Sequence, residues 1–304
     1  MRNLGWVTRE EQQILRRARV AIAGLGGVGG THALALARLG IERFKLMDPD
    51  VFELKNFNRQ PGADLGTIGR IKVEVIAERL RQINPECEIE TNFSALDESN
   101  LPQFMQNVDL FIDGLDSSAL DAREKAFAYA HAHGIPAITA APIGMGAAMM
   151  TFLPNHMSFE EFFGFHGRSK QEKFSRLILG LTPSFMHLPA LVDRSSVNVQ
   201  DGNGPSTVMG CMIAGGMLCT EVLKIILGRG RPICAPRSIH FDAYAGKLKT
   251  SRMRWGHRNP IFQLKLSIFK MLFQKKMADS NSSQPKLADS ELVNSSIADS
   301  QSAK

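Results

Sequence analysis

The stretch "RVAIAGLGGVGG", residues 19–30, decides how the rest of the chain is interpreted, because small and branched apolar residues run directly into a glycine cluster. This pattern predicts a buried strand that turns sharply into a helix. Glycines there let the backbone approach a phosphate, and the helix N-terminus offers it unpaired amide groups. Gly24, Gly26 and Gly29 have the G-x-G-x-x-G spacing, and Gly27 adds a further glycine. The stretch therefore predicts a nucleotide-binding turn without distinguishing a redox dinucleotide from ATP.

Strands and helices alternate along the chain after this turn. Apolar runs predict strands, at residues 43–48, 87–92, 108–114, 135–141 and 147–154. Helical periodicity predicts helices, at residues 26–40, 69–84, 117–134 and 207–228. We expect a Ser cap at the start of helix 117–134, an internal position for helix 207–228, and a last strand at residues 238–244. The fold class predicted is α/β: a Rossmann-like open, mostly parallel sheet with helices on both faces and a mixed C-terminal extension.

Charge is distributed unevenly along the 304 residues, although the net charge is +6. Residues 247–276 hold nine Lys or Arg and no Asp or Glu, whereas the first 246 residues hold 25 basic and 26 acidic side chains. The basic character thus belongs to one C-terminal segment. No run of about 18 apolar residues without charge is present, so we expect no membrane span. Four cysteines without a C-x-x-C pair are typical of a reducing compartment, and we expect a cytoplasmic protein.

The stretch "DPDVFELKNFNRQ", residues 48–60, separates the two nucleotides. Asp48 lies at the end of the predicted second strand, where a carboxylate usually binds the ribose hydroxyls. Redox enzymes of this fold have no recurrent need for Asn56 and Arg59 just beyond it. An enzyme that cleaves ATP between the α- and β-phosphates must neutralise charge on pyrophosphate, which a fixed guanidinium does well. Lys72 supplies a second cation, so the pattern favours ATP.

Several motifs together resemble the HesA/MoeB/ThiF superfamily, the adenylating domain of ubiquitin-activating enzymes, in its zinc-free ThiF-like branch. They are "GLGGVG", the D-x-D of Asp48 and Asp50, the N-x-x-R-Q of residues 56–60, Lys72, "INP" at 83–85, and the D-x-x-D of Asp113 and Asp116. "TEVLKIILG", at residues 220–228, is similar to the superfamily's late helix. "NFNRQ" and "RQINPEC" also resemble the cyclic threonylcarbamoyl-adenosine dehydratases, whereas residues 155–246 do not.

The resemblance implies a reaction and roles for single residues. The reaction is ATP-dependent adenylation of a carboxylate with Mg²⁺, giving an acyl-adenylate and pyrophosphate. The carboxylate would belong to the C-terminus of a ubiquitin-like or sulfur-carrier-like protein, to a small acid, or to RNA. Asp48 would bind ribose, and Asn56, Arg59 and Lys72 would contact phosphates, with Gln60 beside them. Asp116 would be the metal or substrate carboxylate.

The chain also departs from the superfamily pattern. Many members hold structural zinc with two C-x-x-C pairs, which this sequence lacks, so we predict no zinc. Residues 150–205 contain no cysteine, and Cys211 and Cys219 lie in an apolar helix where packing is the favoured role. We therefore expect no thioester step. A homodimer is expected, in which Arg2 would take the place of the arginine that members of the superfamily insert into the partner's site.

These expectations divide the chain into an N-terminal arm (1–18), an adenylation core (19–154), a substrate or crossover region with the late helix (155–246), a basic amphipathic segment (247–276) and a disordered tail (277–304). For the basic segment we favour packing on its own domain or a dimer contact, with membrane or RNA contact as alternatives. Two other function classes stay open: a non-catalytic nucleotide-binding scaffold and an NAD(P)-dependent oxidoreductase. ATP and NAD⁺ titrations would distinguish the oxidoreductase, and pyrophosphate exchange would distinguish the scaffold.

Overall fold

The computed structural model describes residues 2–193, 196 and 204–282, with the backbone alone for 272–282. Eight strands in this part of the chain form one sheet of order β3-β2-β1-β4-β5-β6-β7-β8. They are β1 (Arg19–Ala23), β2 (Arg43–Met47), β3 (Glu88–Asn92), β4 (Leu110–Asp113), β5 (Ala137–Ile143), β6 (Gly146–Phe152), β7 (Arg237–Asp242) and β8 (Lys247–Arg252). The first five strands are parallel and the last three are added antiparallel. The predicted Rossmann-like fold with a mixed C-terminal extension is confirmed.

Helices cover both faces of the sheet. They are α1 (Arg9–Arg17), α2 (Gly27–Leu39), α3 (Lys72–Ile83), α4 (Leu101–Met105), α5 (Leu120–Ala132), α6 (Phe159–Phe163), α7 (Lys170–Leu181), α8 (Val208–Ile226) and α9 (Pro260–Ser282). Ala147 and Met149 of β6 belong to the core formed with α2, α3 and α8. Phe152 of the same strand packs with Phe127 and Phe159 of α5 and α6. Since alternate residues of a strand point to opposite faces, α2, α3 and α8 lie on one face and α5 and α6 on the other.

Some element ends differ from the sequence-based expectation. Helix α5 begins at Leu120 with no side-chain cap, because the Ser118 hydroxyl donates to the Asp116 carboxylate at 2.7 Å instead. The strand predicted to be the last, now β7, is followed by β8, which continues the sheet into the segment predicted to be basic and amphipathic. A hairpin partner was missed there because β8 is polar and mostly exposed, so it lacks an apolar signal.

Helix α8 is the one described helix long and apolar enough to cross a membrane by length and composition. No membrane-spanning helix was expected from the sequence. The helix packs against α2, β5 and β6, which is the arrangement of a core helix and agrees with the predicted internal position.

Helix α9 begins inside the compact unit that ends at Leu266, and a second unit starts at Ser267. In the first unit, Phe262 and Leu266 are buried and Lys265 Nζ donates to the Pro183 carbonyl at 2.6 Å. The first turns of α9, in the middle of the basic segment, thus pack on their own chain. The helix extends to Ser282, and residues 283–304 of the predicted tail lie outside the described residues.

Candidate nucleotide-binding site

The turn between β1 and α2 is built by close backbone contacts. Gly24 has φ +85°, and a Cβ there would collide with the carbonyl of Gly114 at the end of β4. A Cβ at Gly29 would collide with the Gly24 carbonyl. The Gly24 amide donates to Met47 O of β2, and the Gly114 amide donates to Ala23 O of β1, both at 2.8 Å. Gly24 and Gly29 therefore serve the close packing of three backbone segments, and Gly114 is a third glycine that sequence reasoning missed.

The first turn of α2 is surrounded by side chains from distant parts of the chain. A Cβ at Gly26 would lie 3.5 Å from Gln60 Nε2. A Cβ at Gly27 would lie 3.3 Å from Arg59 Cγ and 2.8 Å from Cys211 Sγ. Gln60 is buried, and its Oε1 has no hydrogen-bond partner among the described residues. The structure thus brings two predicted residues, Arg59 and Gln60, to the predicted phosphate-binding turn.

Asp48 joins this turn to the end of β2. Its Oδ2 accepts the Leu25 amide at 2.5 Å, and its Oδ1 accepts the Asp50 amide at 2.8 Å. Burial raises the pKa of Asp48, while the two amide bonds and the nearby Lys72 charge oppose that rise. Each carboxylate oxygen can accept more than one hydrogen bond, so these contacts leave capacity for a ribose hydroxyl.

Lys72 is the first residue of α3, and its side chain is only 7% exposed. The Nζ atom lies 2.9 Å from Oδ2 of Asp50, whose own side chain is 63% exposed. The positive charge of Lys72 also lowers the pKa of Asp48, against the effect of burial. The ammonium group is therefore held beside the carboxylates that follow β2.

Asn56 organises the loop that carries Arg59 and Gln60. It is buried, and its Oδ1 accepts the Glu53 amide at 2.9 Å while the Glu53 carboxylate accepts the Asn56 amide. The Asn56 carbonyl accepts the Gln60 amide at 2.9 Å. In this structure Asn56 holds the backbone of the loop, whereas Arg59 is half-buried with Nη1 2.9 Å from Asn58 Oδ1.

The two aspartates at the end of β4 have different environments. Asp113 is buried and pairs with Arg123 Nε at 2.7 Å, while its Oδ1 accepts the Leu115 amide. Asp116 is exposed at the carboxyl end of the strand, and its Oδ1 accepts both the amide and the hydroxyl of Ser118. Asp113 is held in a buried ion pair, and Asp116 is the one of the two aspartates that solvent reaches.

Cys211 of α8 is a residue that sequence reasoning assigned to packing alone. It is buried, and burial raises its pKa, opposed by a hydrogen bond with Ser206 and by the Arg59 charge. The Asn58 amide also donates to the Ser206 carbonyl at 3.3 Å. The start of α8 therefore forms one wall of the site, which sequence spacing could not reveal across about 150 intervening residues. Burial alone raises the pKa of the other helix cysteine, Cys219, to about 12.

Arg2 lies far from this chain's own turn. The neighbouring Asn3 donates to the Leu39 carbonyl at 3.2 Å, at the last residue of α2. A helix of this length spans roughly 20 Å, so Arg2 is about that far from the glycine turn. Its predicted role requires a second subunit.

Among the described residues, no three His, Cys, Asp or Glu side chains are arranged to hold a metal ion. A groove of about 540 Å³ lies between α4 and α5, where it is lined by Val108 and Ile135. These residues precede β4 and β5, so the groove is at the opposite edge of the sheet from the glycine turn.

Comparisons with known proteins agree with this geometry. The profile of the ThiF family matches residues 1–261. The chain is 38% identical over 135 residues to the tRNA threonylcarbamoyladenosine dehydratase of Escherichia coli, covering 43% of this chain and 49% of that protein. It is 25% identical over 249 residues to the molybdopterin-synthase adenylyltransferase of the same organism, covering 82% and 87%. The chain thus spans about half the length of the first of these curated relatives.

Solved structures share the fold. The crystal structure of E. coli MccB with ATP superposes with a TM-score of 0.61 at 19% identity, covering 83% of this chain and 68% of that one. The crystal structure of PaaA gives the same TM-score at 23% identity, covering 80% and 66%. At such identities the likeness concerns the fold alone.

Proposed function

This chain belongs to the ThiF family, and from that premise we propose that it adenylates a carboxylate with ATP. The single observation that supports the proposal most is the approach of Arg59 and Gln60 to the first turn of α2. At a glycine turn, a redox dinucleotide places a pyrophosphate that bridges two nucleosides, so it offers no outer phosphate there for a guanidinium to bind. The proposal therefore favours ATP over NAD(P).

The reaction would break one bond and form one. A carboxylate oxygen of the substrate attacks the α-phosphorus of ATP, and the bond from that phosphorus to the oxygen bridging to the β-phosphate breaks. The products are an acyl-adenylate and pyrophosphate, and the electron pair of the broken bond leaves with pyrophosphate. Catalysis here is mainly positioning and neutralisation of charge on the leaving group.

Each site residue has a proposed role in this step. The α2 N-terminus at Gly26 and Gly27 would bind phosphate through backbone amides. Asp48 would accept a ribose hydroxyl with its remaining lone pairs. Arg59 and Lys72 would bind the outer phosphates, for which Lys72 exchanges its contact with Asp50. Asn56 would act on the phosphates through the loop it holds, beside Gln60.

Mg²⁺ is the proposed metal, with Asp116 as its one protein ligand. Mg²⁺ commonly binds through one or two carboxylates together with substrate phosphates and water, and the single exposed carboxylate of Asp116 is suited to this mode of coordination. The bound Mg²⁺ would neutralise negative charge on the phosphates. We also propose that the protein works without zinc.

The carboxylate substrate is proposed by class. The names of relatives mention a tRNA and the sulfur carrier protein ThiS. An RNA-borne acid and a protein C-terminus are therefore candidates here, and the small acid expected from the sequence is a third. We propose a cytoplasmic homodimer, in which exposed apolar residues of α8, Val208, Met209 and Met212, contact the second copy.

The test is ATP–pyrophosphate exchange measured with a panel of carboxylates. Exchange that depends on both Mg²⁺ and one class of carboxylate is the expected result. Calorimetric titration of ATP and of NAD⁺ runs in parallel, and ATP is expected to bind the tighter. Preferential binding of NAD⁺ would overturn the proposal, and ATP binding without exchange across all three substrate classes would favour a scaffold.

A further inference from the structure

A second cluster of polar side chains lies at the carboxyl end of β7. His240 and Asp242 are two residues apart, so they point to the same face of the strand, and both are almost completely buried, at 2% and 1% exposure. His187, from the loop after α7, lies over them with its ring centre 5.6 Å from that of His240. The Asp242 charge acts on both imidazoles. These three residues, the His–Asp cluster, form one group.

The polar atoms of the His–Asp cluster have few partners in the protein. Asp242 Oδ1 accepts the Ala245 amide at 3.0 Å, but Oδ2 has no partner in the described part of the chain. Within the same residues, Nδ1 and Nε2 of His240 and Nδ1 of His187 also have no partner. In the part of the chain described, twelve buried side-chain polar atoms are unpartnered, and four belong to this cluster. Buried polar groups are normally paired, so such a concentration indicates a place built to meet a ligand.

The cluster is connected to the nucleotide-binding turn through α8. Asp242 pairs in register with Gly146, just after the β5–β6 turn, and a Cβ at Gly144 would lie 3.1 Å from His187 Cβ. Gly210 of α8 packs on the Gly144 carbonyl, and its neighbour Cys211 contacts Gly27. The cluster therefore lies at the carboxyl edge of the sheet, where open α/β sheets bind ligands. The strand that precedes Asp116, β4, is three strand spacings from β7 in the sheet, a distance of about 14 Å.

The chemistry of the cluster favours a donor with positive charge. Burial lowers the pKa of His187 to about 4 and also lowers that of His240, so both rings are neutral near pH 7. A neutral imidazole has one acceptor nitrogen, and Asp242 Oδ2 is a further acceptor. No Lys or Arg among the described residues forms an ion pair with Asp242. A buried carboxylate without a cation is unfavourable, so an ammonium group would complete this set.

We propose that His187, His240 and Asp242 form a subsite for an ammonium group carried by the carboxylate substrate. The inference rests on the proposed adenylation, and it names an amine-bearing carboxylate as the substrate class. An extended chain covers about 3.3–3.6 Å per residue, so the amine would stand about four residues from the carboxylate that is activated.

The first experiment needs no turnover. Histidine side-chain resonances of the full chain are followed by NMR while butylammonium is added to about 100 mM, well above a millimolar dissociation constant. Saturable shifts of His187 and His240 are expected, with butanol and butyrate giving none. Asp242→Asn keeps the Ala245 contact and removes the charge, and it should weaken butylammonium binding at least tenfold. Asp109→Asn, an exposed carboxylate at the other edge of the sheet, is the matched control and should change nothing.

Failure of this inference differs from failure of the proposed function. Absence of saturable shifts, or an equal response to butanol, would mean that water alone meets these polar atoms, and it would overturn the subsite. The second experiment compares exchange with N-acetyl-Lys-Gly-Gly-Gly and with N-acetyl-norleucine-Gly-Gly-Gly, which differ only in the side-chain ammonium. We expect at least a tenfold preference for the lysine peptide. Equal rates would also overturn the subsite. Butylammonium binding without any exchange, while ATP still binds, would leave the subsite standing and remove adenylation.

Discussion

The Lys72 ammonium, at the first residue of α3, lies 2.9 Å from the Asp50 carboxylate. The lysine side chain is nearly buried, whereas that of Asp50 is largely exposed. The ammonium is therefore positioned by packing and pairs with a carboxylate that solvent reaches. Such a group can move to an incoming phosphate without being desolvated again.

Removing the Lys72 charge should slow pyrophosphate exchange. We expect Lys72→Met to lower kcat about 10²–10³-fold, the range found when one preorganised charge-stabilising donor is lost. Lys125→Met is the control, because Lys125 makes an exposed pair with Glu98 away from the site. Exchange rates and melting curves would be measured together. An unchanged rate in a folded Lys72→Met protein would contradict the assigned role.

Lysine should replace Arg59 poorly. A guanidinium binds two phosphate oxygens through a planar fork, whereas an ammonium is a compact point charge. We expect Arg59→Ala to lose about 10²-fold or more in kcat/KM for ATP and Arg59→Lys to recover little of it. Arg70→Ala, which removes an exposed pair with Glu78, serves as the control. Recovery to the wild-type value by lysine would show that fork geometry is unimportant.

Alanine at Gly24 should destabilise the fold as well as the site. Gly24 combines φ +85° with a backbone collision at Gly114, while Gly69 has φ +79° and open space around its Cα. Backbone strain of this kind costs about 1–3 kcal/mol, so Gly69→Ala should lose that amount and Gly24→Ala clearly more. Urea unfolding measures both. Equal losses would mean that the collision is relieved at no cost.

The buried pair of Asp113 and Arg123 should matter for stability. Their side chains are 1% and 5% exposed, so breaking the pair leaves an uncompensated buried charge. We expect Arg123→Met to lower the free energy of unfolding by about 3–5 kcal/mol. Combining it with Asp113→Leu should restore part of that loss, which chemical denaturation of the single and double variants would detect. A double variant that loses the sum of the two single losses would refute this coupling.

The stability of the protein should fall as the pH is lowered through the histidine range. Burial lowers the pKa of His32 to about 4 from 6.5, with a contact to the Ala140 backbone opposing the shift. His32 therefore binds a proton more readily in the unfolded chain than in the folded protein. Its contribution to stability is complete above pH 6.5 and is lost as the pH falls to about 4. The full shift corresponds to about 3 kcal/mol. His32→Leu should reduce the slope of the unfolding free energy against pH, between about pH 4 and 6.5, by the equivalent of about one proton. An unchanged slope would contradict the buried neutral state.

Much of the fold was readable from local patterns. Apolar runs of strand length and the glycine turn after Ala23 are local signals, and Gly40, the last residue of the predicted helix 26–40, ends α2 with φ +108°. Strand β8 was missed because its exposed face carries no apolar alternation. The Ser cap of helix α5 was wrong because the Asp116 carboxylate binds the Ser118 hydroxyl.

The candidate site was predicted in part. Arg59 was found because ATP cleavage calls for a fixed guanidinium beside pyrophosphate, and Gln60 was found from the resemblance of the N-x-x-R-Q motif to the superfamily. Cys211 and Gly114 could not be found that way, because the packing of α8 and β4 against the turn brings them there. Likewise, the polar atoms of His240 and Asp242 become unusual only once strand pairing has buried them.

The order of residues along this chain was sufficient to predict an α/β fold of the nucleotide-binding type and the loop of residues 48–60 that carries its charged side chains. Strand length, helical period and glycine turns depend on neighbouring residues, so they can be recognised in the sequence. Tertiary structure alone decided which charges meet. It paired Lys72 with Asp50, buried Asp113 on Arg123 and, among the described residues, left Asp242 without a cation. Burial and distance determine the energy of a charge, and both arise only when distant segments pack together.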